Sequence, residues 1–308
     1  MKNIGRRDLL DVERLSDEDI GNILSMADEY AGLYSQSKKI PESLSGKVIL
    51  TYFAETSTRT RVSFTMAAHR LGGRVIHWDP KSSAMSKDES FSDTIKTLDA
   101  MAPDSIIIRH GDYNAPHYVA GMVRCPVINA GDSWRAHPSQ ALLDALTIRQ
   151  CFGGFDGLRI ALVGDIAHSR VASSDIALFE RLGMEIHIVA PRLLLPEAGP
   201  GENVKIFDNL KDGLKGCDIV MGLRLQKERM QQSLIEDDTA YFHEFGLSYE
   251  TLRYAKEGAK IMHPGPMNRG IEIAEDLPDD PETSLILKQV ANGVPVRMAI
   301  LNWALSGR

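Results

Sequence analysis

Cysteine is scarce in this chain, with three among 308 residues. Cys125, Cys151 and Cys217 are odd in number for a disulfide framework and too widely spaced for a zinc knuckle, so a reducing compartment is the natural setting. No apolar run reaches about 18 residues, which argues against a membrane-spanning helix. The N-terminus has no apolar stretch of the signal-peptide kind: Arg6 and Arg7 are followed by Asp8, Asp11 and Glu13, a helix-start charge pattern. A cytoplasmic protein is expected. Positive charge is not in excess, since 35 Lys plus Arg face 42 Asp plus Glu for a net charge of −7. A general nucleic-acid binder should be basic, so that class is disfavoured. The nine histidines form no metal-binding pattern such as H-E-x-x-H, and no metal is expected. What remains is an ordinary globular balance, 43% hydrophobic and 25% charged, over a length that suggests two domains.

Strand-like and helix-like segments alternate throughout. Lys47 to Phe53 is β-branched and aromatic and reads as a buried strand. Phe64, Ala67, Ala68 and Leu71 then recur at helical spacing, and Gly72-Gly73 closes that helix. Further strands are expected at Arg74 to Trp78, Ser105 to Ile108 and Val127-Ile128. The second half repeats the rhythm with Leu158 to Val163, a helix from Val171 to Leu182, then Glu185 to Ala190, Asp218 to Met221 and Lys260 to Met262. Pro191 to Asn203 reads as surface connection, and Ser284 to Leu305 as a long amphipathic helix kinked near Gly293 and Pro295. Such alternation implies an α/β protein with two doubly wound domains, each around a parallel sheet, joined by long helices.

Open parallel sheets bind ligands beyond the carboxyl ends of their strands, so the strand-to-helix junctions carry the functional information. The first is Glu55-Thr-Ser57-Thr58-Arg59-Thr60-Arg61. Hydroxyls, two guanidiniums and the N–H groups of a helix start converge there, which suits an anion with several oxygens. It contains no glycine, so it is neither a P-loop nor a dinucleotide fingerprint. Arg109-His110 follows the Ile106 to Ile108 strand, and His137 and Gln140 stand three apart at a helix start, able to face one ligand. In the second half, Arg170 follows Gly164-Asp165, and Arg224 and Gln226 share one side beyond a strand. The prolines of His263-Pro264-Gly265-Pro266 leave rigid carbonyls as acceptors. Taken singly, each junction also fits a solvated cation, a cap or a turn. An acidic chain that repeatedly places cations at these positions favours anion binding.

Together, Ser57-Thr-Arg-Thr-Arg61, Arg109-His110, His137-Pro-x-Gln140, Arg224-x-Gln226 and His263-Pro264 resemble the aspartate/ornithine carbamoyltransferases. The likeness runs nearly the whole chain, to Val290-x-Asn-Gly-Val-x-Val-Arg-Met298. It implies a carbamoyl-phosphate-binding domain over 1–136 plus 286–308 and an aspartate-binding domain over 137–285. It also implies that Ser57, Thr58, Arg59 and Thr60 hold the phosphate, while Thr60, Arg109 and His137 donate to the carbamoyl oxygen. Gln140 and the carbonyls of Gly265 and Pro266 would take the carbamoyl NH₂. Arg170, Arg224 and Gln226 would bind L-aspartate, together with Lys87. Two cations suit a dicarboxylate better than an amine, and HPGP stands where ornithine enzymes carry HCLP, so the aspartate branch is expected. A related transferase acting on ornithine and a non-catalytic assembly subunit are the alternatives. Ser83 and Lys87 match a loop that reaches into a neighbouring subunit's site, implying a homotrimer with shared sites. Asp88 stands where the family has glycine, and Ser133-Trp134-Arg135-Ala136 departs from the commoner spellings. The resemblance implies no cofactor and leaves room for a regulatory or dihydroorotase-like partner.

Overall fold

A computed structural model describes residues 5–79, 89–195, 201–226 and 237–306. The chain forms two compact units, 1–146 with 290–308, and 147–289. Ser83, Lys87 and Asp88 lie outside the described residues.

Unit 1 begins with α1 (Asp17–Ser35), whose Ser16 and Asp19 form a reciprocal capping box. Then follow β1 (Val48–Phe53), α2 (Thr58–Arg70), β2 (Arg74–Trp78), α3 (Phe91–Ala100), β3 (Ser105–His110), α4 (Ala115–Ala120) and β4 (Val127–Asp132). The four strands are parallel in the order β2-β1-β3-β4. Leu50, Tyr52, Ile106, Ile108 and Val127 pack one face against Ile95, Leu98 and Val119. At about 25 cal/mol per Å² of apolar surface, such burial is what holds the loop ends of these strands in place.

Helix α5 (Pro138–Phe152) carries the chain into unit 2, where β5 (Arg159–Gly164), α6 (Arg170–Arg181), β6 (Glu185–Val189), β7 (Val204–Phe207), α7 (Leu210–Gly213), β8 (Ile219–Leu223), α8 (Asp238–Phe245), α9 (Tyr249–Leu252) and β9 (Lys260–Met262) follow. Its sheet is parallel throughout in the order β7-β6-β5-β8-β9. Helix α10 (Ile286–Leu305) returns the chain to unit 1 with Pro295 inside it. The expected fold class, two doubly wound α/β halves, is the one observed.

The division falls inside α5 and α10, slightly later at each crossing than the expected 136/137 and 285/286. The first turns of α5 pack with α10 within unit 1, where Arg297 Nη2 reaches Ser139 Oγ at 3.5 Å and stacks over the Phe64 ring. Strand β7 was not anticipated from the sequence: its alternation is weak, since Lys205 and Ile206, on opposite faces of this edge strand, are both exposed. Strands β3 and β4 continue past their expected ends to His110 and Asp132, because a parallel neighbour pairs with residues whose side chains are polar.

Candidate active site

The anion-binding candidate starts where β1 ends. Ser57 is the N-cap of α2 in extended backbone, yet its hydroxyl makes no capping hydrogen bond. Ser16, Ser90 and Ser169 each cap their helices by accepting a backbone N–H. The α2 start therefore keeps its hydroxyl and its positive dipole end for something else. Thr58 and Arg59 are exposed, Ser57 is half-buried and Thr60 is buried in the first turn.

Arg109 leaves the end of β3, the strand paired directly with β1. Its Nε lies 3.2 Å from Glu55 Oε2 and its Nη1 donates to the Ala130 carbonyl at 3.3 Å. Glu55, on the loop that leads into Ser57, thus aims the guanidinium from one edge. That pairing had no signature in the sequence, since the partners are far apart along the chain and meet only through the β1–β3 register.

His137 sits immediately before α5 and is 4% exposed. The loop leading to it closes on itself, the N–H of Asp132 donating to Ala136 O at 2.9 Å, and Asn129 Nδ2 anchors its start by donating to Leu10 O of the N-terminal segment at 2.7 Å. The unusual segment 133–136 has a structural purpose. Arg135 Nη2 is 2.8 Å from Asp11 Oδ2, and His117 Nε2 is 3.0 Å from the same oxygen. Burial acts to raise the Asp11 pKa, but Arg135, Arg14 and His117 outweigh it and hold the carboxyl below its ordinary range. The same ion pair raises the Arg135 pKa against the effect of burial. Asp11 is buried and Arg135 half-buried, so the pair ties the N-terminal segment to this loop and pins the backbone that presents His137.

One turn into α5, Gln140 donates through Nε2 to both oxygens of Asp144 at 3.1 Å. Asp144 was not singled out in the sequence, although an acid four residues after Gln140 on a helix was the available signal.

In unit 2, Arg170 is the first residue of α6 and is 6% exposed. Arg224 and Gln226 lie just beyond β8, the neighbour of β5. Buried Asp165 ties the two loops together: Oδ1 lies 2.8 Å from His168 Nδ1, and Oδ2 accepts from the Gln226 N–H at 3.3 Å. Gln226 Nε2 donates to His168 O at 2.9 Å. One amide hydrogen of Gln226 is thus used to orient it, and the other is available to a carboxylate.

His263 and Gly265 begin the loop after β9. His263 Nδ1 accepts from the Gly265 N–H at 2.9 Å, so the neutral ring carries its proton on Nε2, 3.4 Å from Glu272 Oε1. Glu272 also accepts from the Asn268 N–H. With φ +66, Gly265 takes a backbone conformation that suits glycine. The loop that offers the Gly265 and Pro266 carbonyls is thereby braced from both ends.

Each unit therefore gathers its expected residues at the carboxyl edge of its own sheet: Ser57 to Thr60, Arg109, His137 and Gln140 in unit 1; Arg170, Arg224, Gln226, Gly265 and Pro266 in unit 2. Among the described residues, no group of three or more His, Cys, Asp and Glu is placed to hold a metal ion. Among the same residues, no helix is long and apolar enough to cross a membrane.

Residues 7–150 match the family model described as the aspartate/ornithine carbamoyltransferase, carbamoyl-P binding domain, and residues 156–304 match the Asp/Orn binding domain. The chain is 48% identical over 295 residues to the aspartate carbamoyltransferase catalytic subunit of Methylorubrum populi, covering 96% of this chain and 93% of that one. It is also 48% identical over 302 residues to the catalytic subunit of Rhodospirillum rubrum, covering 98% and 94%. Aspartate transcarbamoylase from Trypanosoma cruzi, solved with carbamoyl aspartate and phosphate, superimposes with a TM-score of 0.86 at 30% identity, covering 97% and 95%. Ornithine carbamoyltransferase from Pyrococcus furiosus superimposes with a TM-score of 0.89 at 26% identity over 100% of both chains. The backbone is common to both acceptor types, whereas close sequence identity lies with the aspartate enzymes. The chain belongs to the aspartate/ornithine carbamoyltransferase family.

Proposed function

We infer that the chain transfers the carbamoyl group of carbamoyl phosphate to the α-amine of L-aspartate, giving N-carbamoyl-L-aspartate and phosphate in pyrimidine biosynthesis. The observation that carries the choice of acceptor is the cation pair Arg170 and Arg224 beyond adjacent strands of unit 2, which suits two carboxylates and repels an ammonium side chain.

In this reading the α2 start holds the phosphate through Ser57, Thr58, Arg59 and Thr60, with Arg59 meeting the charge that grows as the dianion departs. The neutral α-amine attacks the carbamoyl carbon, and Thr60, Arg109 and His137 donate to the oxygen that becomes anionic. The departing phosphate can accept the proton lost by the amine, so no separate base is required. Gln140 and the carbonyls of Gly265 and Pro266 accept from the carbamoyl NH₂. Arg170, Arg224, Gln226 and Lys87 hold the aspartate carboxylates. Positioning two mutually repelling anions supplies a large part of the rate gain.

The test is an assay for carbamoylated product with aspartate and ornithine offered separately. Turnover with ornithine alone would overturn the assignment. Arg224→Ala is expected to raise the KM for aspartate by at least about 100-fold while changing that for carbamoyl phosphate by less than about fivefold, as for loss of a charged hydrogen bond to one substrate. An unchanged aspartate KM would remove Arg224 from the acceptor site.

The working unit in this reading is a cytoplasmic homotrimer in which Ser83 and Lys87 act in a neighbouring subunit's site. Apolar surface left for a neighbour to cover supports it: edge strand β2 exposes Ile76 at 52%, and α2 exposes Val62 at 47% and Met66 at 38%. Mixing inactive Arg59→Ala and Lys87→Ala proteins should restore part of the activity. No recovery after verified subunit exchange would sink shared sites. A regulatory or dihydroorotase-like partner is compatible with this assembly and is tested by co-purification.

A further inference from the structure

Gln140 and Asp144 stand one turn apart on α5, at 8% and 0% exposure. The amide nitrogen donates to both carboxylate oxygens at 3.1 Å. An ionised carboxylate can only accept, so it admits one orientation of the amide, with Nε2 toward Asp144 and Oε1 turned away. A flipped amide would press its carbonyl oxygen against the carboxylate with no proton between them. Asp144 is wholly buried, and a nearby cation favours its charged form. Arg297 of α10 is a cation within electrostatic reach of it. Burial pushes its guanidinium down to about 10, and the Asp144 charge acts in the opposite direction. Its own donors reach Gly293 O at 3.0 Å and Ser139 Oγ at 3.5 Å, which holds it beside α5.

We propose that Asp144 is a positioning residue which fixes Gln140 as a pure acceptor, so that the site selects an acyl phosphate bearing NH₂ over one bearing methyl at the same place. The proposal deepens the assignment of Gln140 to the carbamoyl nitrogen and rests on it. A methyl group offers no proton to Oε1, and a site built to accept an N–H leaves a buried polar atom unpaired when the N–H is missing.

The test uses acetyl phosphate, which replaces NH₂ by CH₃, as an inhibitor competitive with carbamoyl phosphate. The readout is the Ki of acetyl phosphate divided by the KM of carbamoyl phosphate. Asparagine at position 144 supports either amide orientation, so Asp144→Asn should narrow this ratio by about tenfold. Gln140→Ala should narrow it at least as far, and adding Asp144→Asn to Gln140→Ala should narrow it no further. Because Asp144→Asn strips Arg297 of its counter-ion, Asp144→Asn/Arg297→Met is measured beside it. That variant removes both charges and should show the same narrowing. A purely structural role would weaken both ligands equally and leave the ratio unchanged in the Asp144 variants while Gln140→Ala narrows it; that result overturns the proposal. An unchanged ratio in Gln140→Ala itself would overturn the assignment of Gln140, and the role of Asp144 with it.

Discussion

Arg59→Ala should lower kcat by about 10³ while leaving the fold intact. The expectation follows from two observations about one residue. Arg59 is in the first turn of α2, at the helix end whose N-cap hydroxyl is not spent on capping. It is also exposed, so the fold does not depend on its packing. Surface substitutions of this kind usually stay within about 0.5 kcal/mol in stability. The loss should therefore appear in turnover, because in the proposed reading the guanidinium meets charge that develops as phosphate leaves. Arg59→Lys should recover little, since an ammonium cannot reproduce a planar two-donor contact with a phosphate. Single-turnover kinetics beside thermal unfolding checks the split. A variant that turns over within tenfold of the parent would show that the leaving group is stabilised elsewhere.

Gly164→Ala should be among the most damaging small substitutions in unit 2, because it combines a strained backbone with a clash. Gly164 ends β5 at φ +124, and a methyl group there would lie 2.5 Å from the Leu223 carbonyl oxygen. That atom is backbone of the adjacent strand and cannot rotate aside. Strain of this kind costs about 1–3 kcal/mol before the clash is counted, and the sum should lower the melting temperature of unit 2 by about 5–10 °C. The displaced backbone leads directly into Arg224, so the aspartate KM should rise as well, by about tenfold or more. Gly154→Ala is the control, since its added methyl would meet nothing within 4 Å. Scanning calorimetry and substrate titration give the two readings. If Gly164→Ala matched Gly154→Ala in both, the end of β5 would be softer than its contacts imply.

Much of the candidate site was legible because it obeys a local rule. Ser57 to Arg61, Arg109, His137, Gln140, Arg170 and Arg224 each follow an apolar strand within a few residues, and parallel topology sends such positions to one edge of a sheet. The partners that aim these groups were not legible. Glu55 reaches Arg109 across β1 and β3, Asp11 reaches Arg135 from the N-terminal segment, and Arg297 approaches Asp144 from the last helix. Each such pair joins residues whose separation along the chain carries no periodic signal. The short strand β7 escaped for a related reason, since its exposed Lys205 and Ile206 break the alternation of a buried strand.

Chain order by itself determined the fold class and the residue types at each strand end, because hydrophobic period and junction position are local properties. Which lone pairs and protons those residues present was decided only in the folded molecule. Gln140 turns its Nε2 to Asp144, which leaves Oε1 on the other side, and His263 carries its proton on Nε2 because the Gly265 N–H occupies Nδ1. Hydrogen-bond polarity is assigned by the neighbour that folding supplies, and that neighbour is chosen by three-dimensional packing.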